Sequence, residues 1–373
     1  MAEGIPPAAG ESHLAVRVKV LDLSSVKSTA QGALELLQSY LVQALVNECQ
    51  RRVKQNMTVV LWGSHLFPYG AACIQAKRIL RAKGVEVPLI IFPVGSDIWE
   101  IGSAIPDVAI DILKSPEIDV LATYSAQFAS EIAELMGQPK AKIRCVLPFI
   151  QQHEYRPISL EYRTELRRLN SIPADALVFI NHSNMRPVKR VDFCVKLVDS
   201  IAQQIPERET YLILLGPHFS LSTIPRNAKV IQFPTTNSVN DFLAMSDFSI
   251  NASLHDSFNT ALLEAMSCGA IPVTSDRPAI ARFIQNAHAG IVFPTTKTNS
   301  CLRDEISGRY PMSERELQEL IVKFQAIDEN SLRHYRQNGQ NLVSSTFSEE
   351  AGTLALQSLI EEAIITNKER HVF

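Results

Sequence analysis

Asp256 and Glu264 stand at the two ends of an eight-residue step in the stretch DSFNTALLEAMSCGAIP, which runs from Asp256 to Pro272. A polar turn there leads straight into a short apolar run, so the pattern predicts a helix from Thr260 to Cys268. Asn259 stands at the position whose side-chain oxygen caps free first-turn N–H groups, and Phe258 and Leu263 occupy the two places of a hydrophobic staple. Gly269 ends the helix and Pro272 prevents its restart. Free N–H groups and the helix dipole make such a turn a seat for an anion. Glu264 lies one turn beyond Thr260 on the same face, where its carboxylate can accept two hydroxyl hydrogen bonds. Upstream, SNMRPVKRVD (Ser183–Asp192) places Arg186, Lys189 and Arg190 within five positions. Arginine offers a planar fork to phosphate oxygens and lysine a compact charge. On these residues alone two accounts fit: an anion-binding loop, or a solvated basic turn ahead of a helix.

The elements that must position these groups alternate. Apolar strand-type runs occur at Val16–Leu23, Thr58–Trp62, Pro88–Val94, Val120–Thr123 and Ile143–Pro148, with helical patterns over Leu34–Val53, Ala71–Lys83 and Ala126–Met136 between them. The polar segment Gln151–Pro157 reads as a linker. The pattern then restarts, with strands at Leu177–Asn181, Tyr211–Leu215, Ala228–Phe233, Phe248–Asn251 and Ile271–Thr274. Helices are expected at Val191–Gln204, Asn240–Met245, Thr260–Cys268, Pro278–Gln285, Glu314–Ile327 and Glu349–Thr366. Short apolar strands alternating with amphipathic helices specify parallel sheets covered on both faces. The fold class is therefore α/β, with two Rossmann-like doubly wound domains. Ligands of such sheets sit beyond the carboxyl ends of the strands. There the loops Ser183–Lys189, Gly216–Pro217, Pro234–Thr235 and Asp256–Thr260 would converge on one crevice.

The chain's 373 residues, 46% hydrophobic and 20% charged, fit two ordinary globular domains. A net charge of −3 argues against a broad nucleic-acid surface, and no apolar run approaches the ~20 residues of a membrane helix. The opening MAEGIPPAAGESH lacks the basic and apolar regions of a secretory signal and reads as a disordered leader. Six cysteines without a CxxC pair fit a reducing cytoplasm. Nine histidines without HExxH or HxH spacing argue against a metal site. No GxGxxG follows a strand, which disfavours a dehydrogenase.

The Asp256–Pro272 stretch resembles the donor-site signature of GT-B glycosyltransferases of the large retaining family 4, an acidic residue, seven others, then Glu. LLEAMSCG matches closely; Asp256 stands for the usual first Glu. The resemblance covers roughly residues 57–363 and is strongest from Phe179 to Pro294. It implies that Lys189 and Arg186 hold the donor diphosphate. Many members place the Arg where this chain has Asn184; a subset similar to the enzyme that glucosaminylates malate carries SNFRxVKR wording instead. It further implies that Glu264 binds the nucleotide ribose, that Asp256 lies against the donor sugar, and that Ser257, Phe258, Asn259, Thr260 and Gly216 line the donor. In the first domain, Val94–Trp99 is similar to the family's HGSDIW segment. Gly95, Ser96 and Asp97 therefore fall at the acceptor-side cleft, while Val94 replaces a histidine that faces the sugar. The family's opening Gly-Gly loop has no counterpart; Ser28, Thr29 and Gly32 stand nearest to it, and the N-terminal domain reads as reduced.

The resemblance implies a leader over 1–14, an acceptor-side domain over 15–155, a nucleotide-sugar domain over 156–345, and a C-terminal helix over 346–373 that packs back on the first domain. It implies transfer of a sugar from a nucleotide-diphosphate donor to an acceptor hydroxyl with retention at the anomeric carbon. No cofactor and no metal are implied, because the cations neutralise the leaving diphosphate. The partners are then a nucleotide sugar and an unidentified acceptor, with oligomerisation left open. A catalytically degenerate subunit that binds a nucleotide sugar or a partner without turnover is the alternative. An epimerase of the same architecture is a third reading.

Overall fold

The computed structural model describes residues 31–95, 98, 107–137, 142–184, 186–217, 220–295 and 314–370. The expected strand Val16–Leu23, the leader, Ser28, Thr29, Ser96 and Asp97 lie outside them. Two parallel sheets organise the chain. The first holds β1 (Leu61–Ser64), β2 (Leu89–Phe92), β3 (Val120–Thr123) and β4 (Ile143–Cys145), in the order β1-β2-β3-β4. The second holds β5 (Leu177–His182), β6 (Thr210–Leu215), β7 (Lys229–Phe233), β8 (Phe248–Asn251), β9 (Ile271–Ser275) and β10 (Ile291–Phe293). Its order is β10-β9-β8-β5-β6-β7. The chain adopts the α/β architecture of two parallel sheets expected from the alternating pattern; the second sheet is doubly wound, while the first, among the described residues, runs in chain order.

In a sheet whose neighbours follow chain order, right-handed crossovers place every connecting helix on one face. That face of the first sheet, presenting Leu89, Ile91 and Leu121, packs on α1 (Gln31–Val53), α2 (Ala71–Ala82) and α4 (Ala126–Met136), with α3 (Asp107–Leu113) beside them. Strand residues alternate in direction, so Ile90, Phe92, Val120 and Ala122 point the other way, toward a face that carries no crossover helix among the described residues. The last helix, α12 (Glu349–Glu369), fills it with Leu359 and Ala363. Glycine is required where α12 begins, since a Cβ on Gly352 would stand 1.9 Å from a ring carbon of Phe149.

The second sheet is wound in both directions from its centre. α6 (Val191–Gln204) and α10 (Glu314–Gln325) cover one face. The other carries α5 (Leu160–Leu169), α7 (Val239–Met245) and α8 (Thr260–Ser267), with α9 (Ile280–Asn286) and α11 (Glu329–Thr346) joined to α8 by a further apolar cluster. The chain moves outward from β5 to β7, then returns to place β8 against β5. The crevice at that reversal, beyond the carboxyl ends of β5 and β8, is the place where doubly wound sheets bind ligands.

Candidate functional site

All strands of the second sheet are parallel, so the loops after β5, β6, β7 and β8 open on one edge. The loops after β5 and β8 flank the reversal and are tied together, because the Leu254 N–H donates to the Val188 carbonyl at 2.9 Å. Two residues further on, Lys189 Nζ donates to Asp256 Oδ2 at 2.6 Å, with both side chains mostly covered. The other Asp256 oxygen accepts from the Phe258 N–H at 3.4 Å, closing the turn that feeds α8. The cationic loop and the opening turn of α8 are therefore one structure. Phe258 and Leu263, the two staple positions, are buried in one cluster with Leu262 and Met266.

Asn259 corrects an expectation. It precedes α8 in a left-handed conformation, φ 78° and ψ 75°, with no side-chain capping hydrogen bond. Capping residues ordinarily have extended backbone, which aims the side-chain oxygen at the amides two and three residues on; the left-handed backbone turns it elsewhere. Asn259 Nδ2 is buried without a hydrogen-bond partner. Thr260 is exposed at the first helical position.

Glu264 faces the end of β5. Its Oε2 lies 3.2 Å from His182 Nε2, and the Tyr155 hydroxyl lies against it as well. Burial, with Glu264 as the next cause, pushes the Tyr155 phenol up to about 12, so it stays a neutral donor at ordinary pH. A residue pattern centred on Glu264 alone misses both partners. His182 was legible as the residue that ends an apolar strand just before a basic loop; Tyr155 lay hidden in a segment that reads as a polar linker.

Arg186 and Asn184 lie on the loop after β5, with the Arg186 N–H donating to the Asn184 carbonyl. Arg190, the third cation of the loop, is committed elsewhere: it pairs with Glu316 at 2.8 Å and lies over the Phe193 ring. Gly216 follows β6 one strand over, with φ 151° and its N–H on the Phe233 carbonyl. From the first sheet, the loop after β2 meets the turn before α8. Ser257 Oγ donates to the Val94 carbonyl at 2.6 Å, and Gly95, at φ 114°, packs so closely that a Cβ would lie 3.3 Å from that of Ser257. Nearby, His255 Nε2 lies 3.1 Å from Glu131 Oε2 on α4. The structure thus brings together Lys189, Asp256, Ser257, Phe258, Asn259 and Gly95. It places Glu264, Arg186, Asn184 and Gly216 around the same edge. Among the described residues, no three His, Cys, Asp or Glu side chains gather as a metal-ligand set.

The arrangement supplies a lysine ammonium beside the first turn of a helix and a carboxylate held by a histidine and a tyrosine. It can seat an anion and bind vicinal hydroxyls within reach of a second sheet. Comparison with known proteins bears on the family and the fold. Residues 176–307 match the family model described as glycosyl transferases group 1. The chain is 26% identical over 257 residues to N-acetyl-alpha-D-glucosaminyl L-malate synthase of Bacillus anthracis, a match spanning 66% of this chain and 64% of that protein. Among solved structures, HepE from Anabaena in complex with UDP-glucose superposes with a TM-score of 0.60 at 16% identity, over 79% of this chain and 75% of its own. A glycosyltransferase from Rickettsia africae superposes with a TM-score of 0.65 at 12% identity, over 91% and 84%. Residues 176–307, which build the second sheet, are thus similar to glycosyl transferases group 1, and the chain as a whole shares the two-sheet GT-B fold of these solved glycosyltransferases.

Proposed function

We propose that this protein is a retaining glycosyltransferase that moves a sugar from a nucleoside-diphosphate donor to an acceptor hydroxyl without a metal ion. The observation that carries the reading is the contact of Lys189 with Asp256 at the reversal between β5 and β8, directly against the turn that opens α8. A departing diphosphate needs positive charge and N–H donors placed before the bond breaks. Lys189 and the amides of Ser257–Thr260 supply them, with Arg186 on the neighbouring loop. Glu264, held by His182 and Tyr155, suits the two ribose hydroxyls. Support comes from a sequence relative named for an alpha-glucosaminyl product and from a fold relative bound to UDP-glucose.

In this reading the bond from the anomeric carbon to the diphosphate oxygen breaks, and the acceptor oxygen attacks from the same face. The acceptor's proton passes to the departing phosphate oxygen, so no protein nucleophile takes part. Asp256 holds Lys189 in line before the donor arrives, and the ammonium then shares its hydrogen bonds between Asp256 and the diphosphate. The approach of Gly95 to Ser257 brings the acceptor-side loop to the donor. The test is incubation with UDP-, GDP- and dTDP-sugars in the presence of a chelator, following nucleotide release and the product's anomeric configuration by NMR. Release with an unchanged anomeric configuration is expected. Binding without any release would favour the non-catalytic alternative, and an inverted product would end the retaining reading.

A further inference from the structure

On the opposite edge of the second sheet, at the amino ends of β5 and β8, a cavity of about 220 Å³ is lined by four arginines: Arg163, Arg167, Arg208 and Arg336. Only two carboxylates, Asp247 and Glu329, share that lining, which leaves two positive charges in excess. Asp247 is already satisfied without all of these cations. Its Oδ1 accepts from Arg163 at 2.6 Å, and its Oδ2 accepts from Arg167 at 3.0 Å and from the Val178 N–H at 2.9 Å. Arg336 reaches Oδ1 at 3.5 Å, and Arg208 is held by the backbone carbonyls of Asp175 and Ala176 rather than by any carboxylate. Two guanidiniums are therefore fixed at the cavity wall in surplus of what the buried aspartate requires.

Such crowding has a cost that an anion would relieve. Burial lowers the Arg336 pKa, and the neighbouring Arg163 and Arg208 push it the same way against the pull of Asp247 and Glu329. Planar guanidinium forks match phosphate oxygens in pairs. The volume lies below the roughly 300 Å³ at which pockets for drug-sized ligands begin, so it suits one phosphoryl group and a small remainder. Glu329 at the rim can accept a hydroxyl of that remainder.

We propose that this cavity is a second anion site, for a phosphoryl group carried by a small molecule, separate from the donor crevice. Its position at the amino edge of the sheet makes it independent of the sugar-transfer reading. The test is calorimetric titration of inorganic phosphate, pyrophosphate and glucose 6-phosphate at fixed ionic strength. The proteins are the wild type and the variants Lys189→Ala, Arg208→Ala and Arg336→Ala. A phosphoryl ligand should bind wild type and Lys189→Ala within twofold of each other, and at least tenfold more weakly to Arg208→Ala and Arg336→Ala. Nucleoside-diphosphate binding should be unchanged in the two arginine variants. Tighter binding of glucose 6-phosphate than of phosphate identifies an ester as the occupant, and equal binding identifies the free ion; either supports the site. Arg208 is exposed and its loss spares the core. The absence of phosphoryl binding, or binding abolished by Lys189→Ala yet kept by Arg208→Ala and Arg336→Ala, would overturn the proposal.

Discussion

The left-handed backbone at Asn259 decides what that residue contributes. Asparagine tolerates this conformation better than most side chains, but glycine adopts it without a steric cost. The Asn259 amide nitrogen is also buried without a hydrogen-bond partner, which costs roughly 1–3 kcal/mol. Asn259→Gly removes both penalties and keeps the main-chain N–H that the proposed phosphate seat uses. The expected outcome is a rise in stability of about 1 kcal/mol by chemical denaturation, with nucleoside-diphosphate affinity unchanged. An affinity lowered tenfold would instead assign the Asn259 side chain, not its amide, to the donor.

At the scale of elements, the C-terminal helix is held by a close fit. Gly352→Ala would drive a methyl into Phe149, and overpacking of this kind costs about 1–3 kcal/mol. A melting temperature lowered by several degrees is expected, whereas a neutral change would show that α12 shifts freely on the first sheet. This helix was legible in the sequence as a continuous helical pattern, as were strands such as β2, β5, β6 and β8, whose apolar runs come from burial on both faces. Other elements were not. α11 fully buries only Gly339 and Val343, and α5 only Leu166 and Arg167, so their apolar stripes are thin among many polar and charged residues. β10 is three residues long, too short for a period to appear. In the site, the spacing of Lys189, Asp256 and Glu264 was readable because the first two follow strands at the sheet's carboxyl edge and Glu264 stands one turn into α8. The partners of Glu264 come from the end of a strand and from the linker. That meeting depends on packing, which no local pattern records. The capping role expected of Asn259 failed for a related reason: composition suggests a cap, but backbone conformation decides it.

For the molecule as a whole, Asp247 joins α5, β5 and α11 beneath the second sheet. Burial alone would raise its carboxyl pKa, but Arg163 and Arg167, with the Val178 N–H, hold it below the ordinary aspartate value. Its stabilising share is therefore complete above pH ~4 and is lost as pH falls through the depressed folded value. Asp247→Asn should cost about 3 kcal/mol at neutral pH and flatten the acid limb of stability against pH; an unaltered acid limb would remove Asp247 from that role. Above this frame, contacts such as Ser257 with Val94 and His255 with Glu131 join the two sheets around the crevice. Lys189 lies at the centre of that crevice's proposed chemistry. The most direct measurement is calorimetric titration of UDP, GDP and dTDP into the wild type and Lys189→Ala. One of these nucleotides should bind the wild type, and bind the variant at least tenfold more weakly. Equal affinity for that nucleotide in both proteins would contradict the account.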